Sequence, residues 1–127
     1  MATVELDKDN FEATITDNDI VIVDFWAPWC GPCKSFGPIY EKISENHEDI
    51  VFAKINTEDQ QELGASFNIR SIPTLMIFRE KIVLFSQAGA LPESALEDII
   101  GKVKELDMNV VRADVEKQQA EAEQADS

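Results

Sequence analysis

The sequence predicts an α/β fold: a central mixed sheet of about five strands flanked by four helices, in the order βαβαβαββα. Two observations lead to this prediction. Short runs rich in β-branched and aromatic residues alternate along the chain with segments whose apolar residues recur at helical spacing. The chain has 127 residues, 44% of them hydrophobic, which is the length of one domain and enough to bury a sizeable core.

The N-terminal half alternates strands and helices. Ile20 to Trp26 is almost continuously apolar, which is typical of a strand buried on both faces. The next strand is expected beside it, because a βαβ crossover is right-handed and returns the chain to the same sheet. The predicted elements are an edge strand over 3–6, a helix capped by Asp7 or Asp9 and reaching about Ile15, the strand over 20–26, a turn over 27–29, a helix from Cys33 to about His47 and a strand over 50–55.

In the C-terminal half, the sequence predicts a short helix, a β-hairpin and a last helix. The short helix covers 60–67, and two antiparallel strands follow over 74–78 and 82–88. Pro92 opens the last helix as a first-turn proline. The apolar residues of this helix recur at helical spacing and are expected to face the sheet: Leu96, Ile99, Ile100, Val103 and Leu106.

The composition changes after Leu106. Residues 107–127 are rich in Asp, Glu, Gln and Ala, and their sizeable apolar residues are one methionine and three valines. From Arg112 onward the segment cannot bury enough surface to offset its chain entropy. We therefore expect a domain over 1–106 and an acidic tail over 107–127 that is a frayed helix or disordered.

The charge balance excludes two classes of partner. With 25 acidic and 11 basic residues the net charge is −14, so the chain lacks a basic footprint for nucleic acid and is repelled by anionic membranes. Residues 1–10 do not resemble a signal peptide, and no apolar run approaches the ~20 residues that span a bilayer. A cytoplasmic protein is the default expectation.

The only cysteines, Cys30 and Cys33, lie in Trp-Cys-Gly-Pro-Cys at a strand-to-helix turn. A helix N-terminus stabilises a thiolate, and a second thiol one turn along can attack and close a disulfide, which suits dithiol–disulfide exchange. A structural disulfide would close a very small loop and stabilise little. A metal site would need two further ligands, and since the single histidine, His47, falls on a polar helix face, metal could bind only through dimerisation.

Four segments resemble the thioredoxin family, in its order and at roughly its spacing. They are Val23 to Lys34 (VDFWAPWCGPCK), Ala53 to Asn56 (AKIN), Ile69 to Thr74 (IRSIPT) and Gly89 to Leu91 (GAL). The resemblance spans about residues 3 to 106. It implies the thioredoxin fold and a protein-disulfide reductase in which Cys30 attacks and the more buried Cys33 resolves.

The resemblance also implies the remaining site residues. Pro73 is similar to the family's cis-proline, and the backbone of Ile72 could pair with an extended substrate. Asp24 is costly inside an apolar strand unless it has a role, and it matches a buried aspartate that accepts a proton from Cys33, with Lys54 nearby. The alternatives are that Asp24 is an exposed carboxylate at the end of its strand, that Lys54 faces solvent, and that the bond before Pro73 is trans. The expected catalytic residues are Cys30, Cys33, Asp24, Lys54 and Pro73, and the expected substrate-binding residues are Trp29, Gly31, Pro32, Ile72, Thr74, Gly89 and Ala90.

Two features depart from expectation. The hairpin turn Arg79-Glu80-Lys81 lacks the Asn-Gly pair that suits positive φ, so a turn other than the tight two-residue type is expected. Ile82 to Phe85 is apolar throughout, where an edge strand should alternate. Either helices cover both of its faces or it is a partner surface.

The sequence therefore predicts a general cytoplasmic disulfide reductase that maintains redox homeostasis. By resemblance, its partners are disulfide-containing proteins and a flavin-containing thioredoxin reductase that uses NADPH, while the chain itself is expected to be a monomer without cofactor or metal. The alternative is a binding subunit or holdase of the same fold without essential thiol chemistry, which would have no need of Cys30 and Cys33.

Overall fold

The computed structural model of the chain describes residues 3–125. Its strands are β1 (Thr3–Glu5), β2 (Ile20–Trp26), β3 (Val51–Asn56), β4 (Thr74–Arg79) and β5 (Ile82–Ala88). Its helices are α1 (Phe11–Asp17), α2 (Gly31–Glu45), α3 (Gln61–Ser66), α4 (Glu93–Glu105) and α5 (Met108–Ala125). The predicted order βαβαβαββα is confirmed, and α5 follows it.

The five strands form one mixed sheet in the order β1-β3-β2-β4-β5. Strand β3 pairs in parallel with both β1 and β2, and β4 pairs antiparallel with β2 and β5. Central strand β2 is buried from Ile20 to Phe25, as its continuous apolar run predicts.

The two faces of the sheet carry different residues. Alternate residues of β2, Val21, Val23 and Phe25, join one core cluster, against which Phe11 of α1 packs. Ile22, Asp24 and Trp26 therefore point to the opposite face, since side chains alternate along a strand. Helix α2 covers that second face, because the ring of its Tyr40 packs edge-on to Phe52, the register partner of Ile22.

The start of α1 differs from expectation. The helix begins at Phe11 after Asn10, and neither Asp7 nor Asp9 is its N-cap. Instead the Asp7 carboxylate accepts hydrogen bonds from the backbone N–H groups of Asp9 and Asn10, at 2.9 and 3.0 Å. The side chain of Asp7 thus organises the turn that precedes the helix.

The C-terminal region forms α4 and α5, and the chain divides into two compact units, the first ending at Glu97 and the second beginning at Asp98. Leu96, Ile100 and Val103 are buried, whereas Leu106 lies beyond the end of α4 and is 41% exposed, contrary to expectation. Residues 108–125 are helical, where the sequence left a frayed helix or disorder open. The domain boundary between 106 and 107 stays a prediction.

The β4–β5 hairpin corrects two expectations. Arg79 pairs with Ile82, so Glu80 and Lys81 form the tight two-residue turn, both with positive φ, at 51° and 69°. The expectation of a different turn is wrong, because strand pairing imposes this backbone on residues that do not favour it. Val83 is 45% exposed, so helices do not fully cover both faces of 82–85.

Candidate active site

The two cysteines lie at the N-terminus of α2. Cys30 is the N-cap, Gly31 and Pro32 open the first turn, and the pair forms a disulfide with Cα atoms 5.2 Å apart. Sγ of Cys30 accepts a hydrogen bond from the backbone N–H of Cys33 at 3.2 Å. This amide is one of the donors that a helix leaves unpaired at its start, so the helix presents a donor to the sulfur.

The environment of the disulfide is apolar. Cys30 and Cys33 cluster with Ala27, and Trp26 and Ile72 pack against them. Both cysteines are 5% exposed, so the expectation that Cys33 is the more buried of the two is wrong for this oxidised form.

A cis peptide bond between Ile72 and Pro73 lies beside the disulfide. The carbonyl oxygen of Ile72 is 3.7 Å from Sγ of Cys30. The carbonyl oxygen of Pro73 accepts a 2.7 Å hydrogen bond from the backbone N–H of Gly89, a residue whose φ of +103° favours glycine. This contact joins the two chain segments that flank the site, and Ala90 follows as an exposed residue.

Thr74 holds the turn in front of the proline. It is the first residue of β4, and its hydroxyl donates a 2.6 Å hydrogen bond to the carbonyl oxygen of Ser71. The side chain is buried and supports the turn before Pro73.

Trp29 forms the rim of an adjoining cleft. Its side chain is 66% exposed, and its indole N–H donates a hydrogen bond to the carboxylate of Glu58. A cleft of about 340 Å³ runs from Trp29 to Ile72, with Ile69 and Arg70 among its lining residues. Sequence reasoning did not assign Glu58, Ile69 or Arg70 to the site. Glu58 reaches Trp29 from the turn after β3, whereas Ile69 and Arg70 lie just before Ile72 in the chain.

Asp24 and Lys54 lie next to each other on neighbouring strands. They are register partners of β2 and β3, and Asp24 is 1% exposed, which rules out the exposed strand-end alternative. Lys54 is half-buried, with its Nζ 4.5 Å from the centre of the Trp26 ring. Oδ1 of Asp24 is buried without a hydrogen-bond partner among the described residues.

Burial dominates the protonation of Asp24. It raises the pKa of the carboxyl from 3.8 to about 7, while the positive charge of Lys54 lowers it and the negative charge of Glu5 raises it. A buried carboxyl with this pKa can gain or lose a proton near neutral pH.

Tyr40 ties α2 to the strands under the site. Its buried hydroxyl lies 2.9 Å from the carbonyl oxygen of Ile22 and 2.8 Å from that of Ala53, so it can donate to either. Burial raises its pKa well above 10, so the hydroxyl keeps its proton. The structure thus fixes the helix that carries the cysteines against β2 and β3.

Comparisons with known proteins agree with one another. A family model described as Thioredoxin matches residues 2–102. A protein described as "Putative thioredoxin 2" from Streptomyces coelicolor is 59% identical over 121 residues, which cover 95% of this chain and 90% of that protein. The thioredoxin of Porphyra purpurea is 42% identical over 104 residues, covering 80% of this chain and 97% of that protein.

Solved structures give the same result. A mutant thioredoxin from Halobacterium salinarum is similar with a TM-score of 0.77 at 32% identity, covering 83% of this chain and 93% of that one. A Plasmodium falciparum thioredoxin has a TM-score of 0.73 at 35% identity, covering 79% of this chain and 97% of that one.

Among the described residues, no helix is both long and apolar enough to cross a membrane.

Proposed function

Because the chain belongs to the thioredoxin family and is a thiol–disulfide oxidoreductase, we propose that Cys30 is its attacking residue and Cys33 its resolving residue. One observation supports these roles above all. The Sγ atoms of the pair meet at the N-terminus of α2, where the backbone N–H of Cys33 donates a hydrogen bond to Cys30. A thiolate is the reactive form of cysteine, and this position favours it.

The exchange proceeds in two balanced steps. The Cys30 thiolate attacks one sulfur of a substrate disulfide and forms a mixed disulfide, and the departing substrate thiolate takes up a proton. Cys33 then loses its proton and attacks the sulfur of Cys30, and the second substrate thiolate leaves and takes up a proton. The substrate gains two electrons and two protons, and the chain ends with the Cys30–Cys33 bond seen in this structure.

We assign the proton transfer of the second step to Asp24. Its carboxyl is buried, one oxygen has no partner among the described residues, and its pKa of about 7 suits proton exchange at neutral pH. Lys54 stabilises the ionised carboxylate from the neighbouring strand, since its charge lowers the pKa of Asp24.

Substrate binding is assigned to the surface around the disulfide. The backbone at Ile72 and Pro73 can pair with an extended substrate segment. Trp29, Gly31 and Pro32 are the chain neighbours of the cysteines, and Trp29 lines one cleft with Ile72. Gly89, whose backbone N–H bonds the carbonyl oxygen of Pro73, and the adjoining Ala90 are assigned to the same surface. Thr74, which is buried, contributes by holding the turn before Pro73.

Thioredoxins reduce disulfide-containing proteins and are themselves reduced by thioredoxin reductase. We propose that this chain acts in the same cycle as a monomer in the cytoplasm, where thiols are kept reduced. The acidic balance of the chain supports a protein partner over nucleic acid.

The deciding experiment is NADPH oxidation in the presence of a thioredoxin reductase and a disulfide-containing protein. Turnover that requires the chain, and that disappears in Cys30→Ser, is the expected result. A double variant, Cys30→Ser with Cys33→Ser, that still prevented aggregation of a client protein, together with a wild type that showed no turnover, would favour the holdase alternative.

A further inference from the structure

Three ionisable residues lie side by side on three neighbouring strands of the sheet: Glu5 on edge strand β1, Lys54 on β3 and Asp24 on central strand β2. Lys54 is the register partner of both acids, so it lies between them. Paired residues of neighbouring strands point to the same face, and for these three it is the face covered by α2. A strand spacing of about 4.8 Å places the backbones of Glu5 and Asp24 about 10 Å apart.

Lys54 forms a close ion pair with neither acid. None of the ion pairs recorded within residues 3–125 includes it, and its ammonium lies over the Trp26 ring instead. Asp24 is buried while Glu5 is exposed. The positive charge of the lysine is therefore shared by a buried carboxylate and an exposed one.

We propose that Glu5 is a positioning residue for Asp24: by sharing Lys54 and adding its own negative charge, it controls how readily Asp24 takes the proton of Cys33. The proposal rests on the role of proton acceptor given to Asp24 above. Glu5 is not among the residues that pack against the cysteines, and it acts only through the charge that it brings to the edge strand.

The electrostatics of the two acids agree with this arrangement. After burial, the charges that act on Asp24 are Lys54, which lowers its pKa, and Glu5, which raises it. The pKa of Glu5 is itself raised by partial loss of solvent, with Lys54 opposing and Asp59 adding to the shift. Both carboxyls thus respond to the same lysine.

The other charged groups near Asp24 are engaged elsewhere. Strand β4 places the apolar Leu75 opposite it. Tyr40 of α2 stays neutral because its pKa is raised well above 10. Asp59 acts on Glu5, whose pKa it raises. Three acids of α2 and α4 make surface contacts: Glu41 accepts from the hydroxyl of Thr3, Glu93 pairs with Lys42 and Glu97 pairs with His47.

The test is the titration of the Asp24 carboxyl, followed by carbon-13 NMR in the oxidised protein. In Glu5→Gln the negative charge is lost and Lys54 is left to Asp24 alone, so the midpoint should fall by between about 0.3 and 1 pH unit. The pH at which the Cys33 step is half-maximal should fall by the same amount in reduced protein.

Glu12→Gln is the matched control. It removes the same charge from an exposed residue of α1, on the opposite face of the sheet, and should move the midpoint by no more than about 0.1 unit. In a Lys54→Gln background, Glu5→Gln should lower the midpoint by less than in the wild type, because the shared lysine is gone.

Two results would overturn the proposal: an Asp24 midpoint unchanged or raised in Glu5→Gln, or an equal fall in Glu12→Gln. The carboxyl titration does not depend on turnover. If the midpoint moved as expected in a chain that failed to reduce disulfides, the influence of Glu5 on Asp24 would stand and the proposed function would fail.

Discussion

The backbone N–H of Cys33 donates a hydrogen bond to Sγ of Cys30 over 3.2 Å, and these residues lie in the first turn and at the N-cap of α2, respectively. The donor is part of the backbone, so it stays in place whether the sulfurs are bonded or free. A negative charge at a helix N-terminus is stabilised by about 0.3–1 kcal/mol. The helix can therefore favour a thiolate on Cys30 after the disulfide opens.

Replacing each cysteine in turn should separate the two roles. Cys30→Ser should abolish turnover, because no nucleophile faces the substrate. Cys33→Ser should still attack but cannot resolve, so covalent adducts with protein substrates should accumulate and be visible on non-reducing gels. If Cys33→Ser reduced substrate at the wild-type rate, the assignment of the resolving residue would be wrong.

Removing the buried carboxyl should stabilise the fold in a pH-dependent way. The pKa of Asp24 is raised from 3.8 to about 7, so the native state binds its proton more tightly than the unfolded state. Stability therefore falls as pH rises through this window, by at most about 4 kcal/mol. Asp24→Ala should raise the free energy of unfolding more at pH 8 than at pH 4.5, and should slow the Cys33 step near neutral pH.

Denaturant midpoints at the two pH values measure the first effect, and stopped-flow reduction measures the second. Asp17→Ala removes an exposed carboxyl from α1 and should change the free energy of unfolding by less than about 0.5 kcal/mol at either pH. A gain in Asp24→Ala that did not vary with pH would contradict the proposed protonation of Asp24.

The sequence predicted the elements better than their junctions. The apolar run of β2 and the helical spacing of later segments report burial directly, so strand and helix order followed from them. The cis bond before Pro73 could come only from the family resemblance, because a local sequence does not determine that isomer. The start of α1 at Phe11 depended on hydrogen bonds of Asp7 that composition does not reveal.

Residue spacing alone predicted the part of the site that a single segment carries, and the family resemblance supplied Asp24, Lys54 and Pro73 from other segments. Cys30 and Cys33 occupy one turn, so their spacing sufficed. Glu58 meets Trp29 only because the loop after β3 lies beside the loop after β2. No residue pattern around Glu5 indicates that it acts on Asp24, because that proposed role depends on the register of β1 with β3.

The hairpin turn offers a test of backbone strain. Lys81 has a φ of 69°, which costs roughly 1–2 kcal/mol for a residue with a Cβ atom. Lys81→Gly should therefore be more stable than Lys81→Ala by about 1 kcal/mol, although both lose the same charged side chain. Equal denaturant midpoints for the two variants would show that the turn does not strain this residue.

Deleting residues 107–127 should leave the fold and the disulfide chemistry in place. The family match ends at residue 102, and every residue assigned to the site precedes 91. The deleted segment carries six acidic and two basic residues, so the net charge would change from −14 to −10, and solubility near the isoelectric point should fall. Some stability should be lost as well, because the deletion removes Met108, which is 5% exposed.

For the shortened chain, circular dichroism should show a cooperative unfolding transition at a lower midpoint, and turnover with a small disulfide should be unchanged. If turnover with small disulfides survived while reduction of one protein substrate was lost, the tail would be a recognition element; a chain without cooperative unfolding would place the domain boundary beyond residue 106.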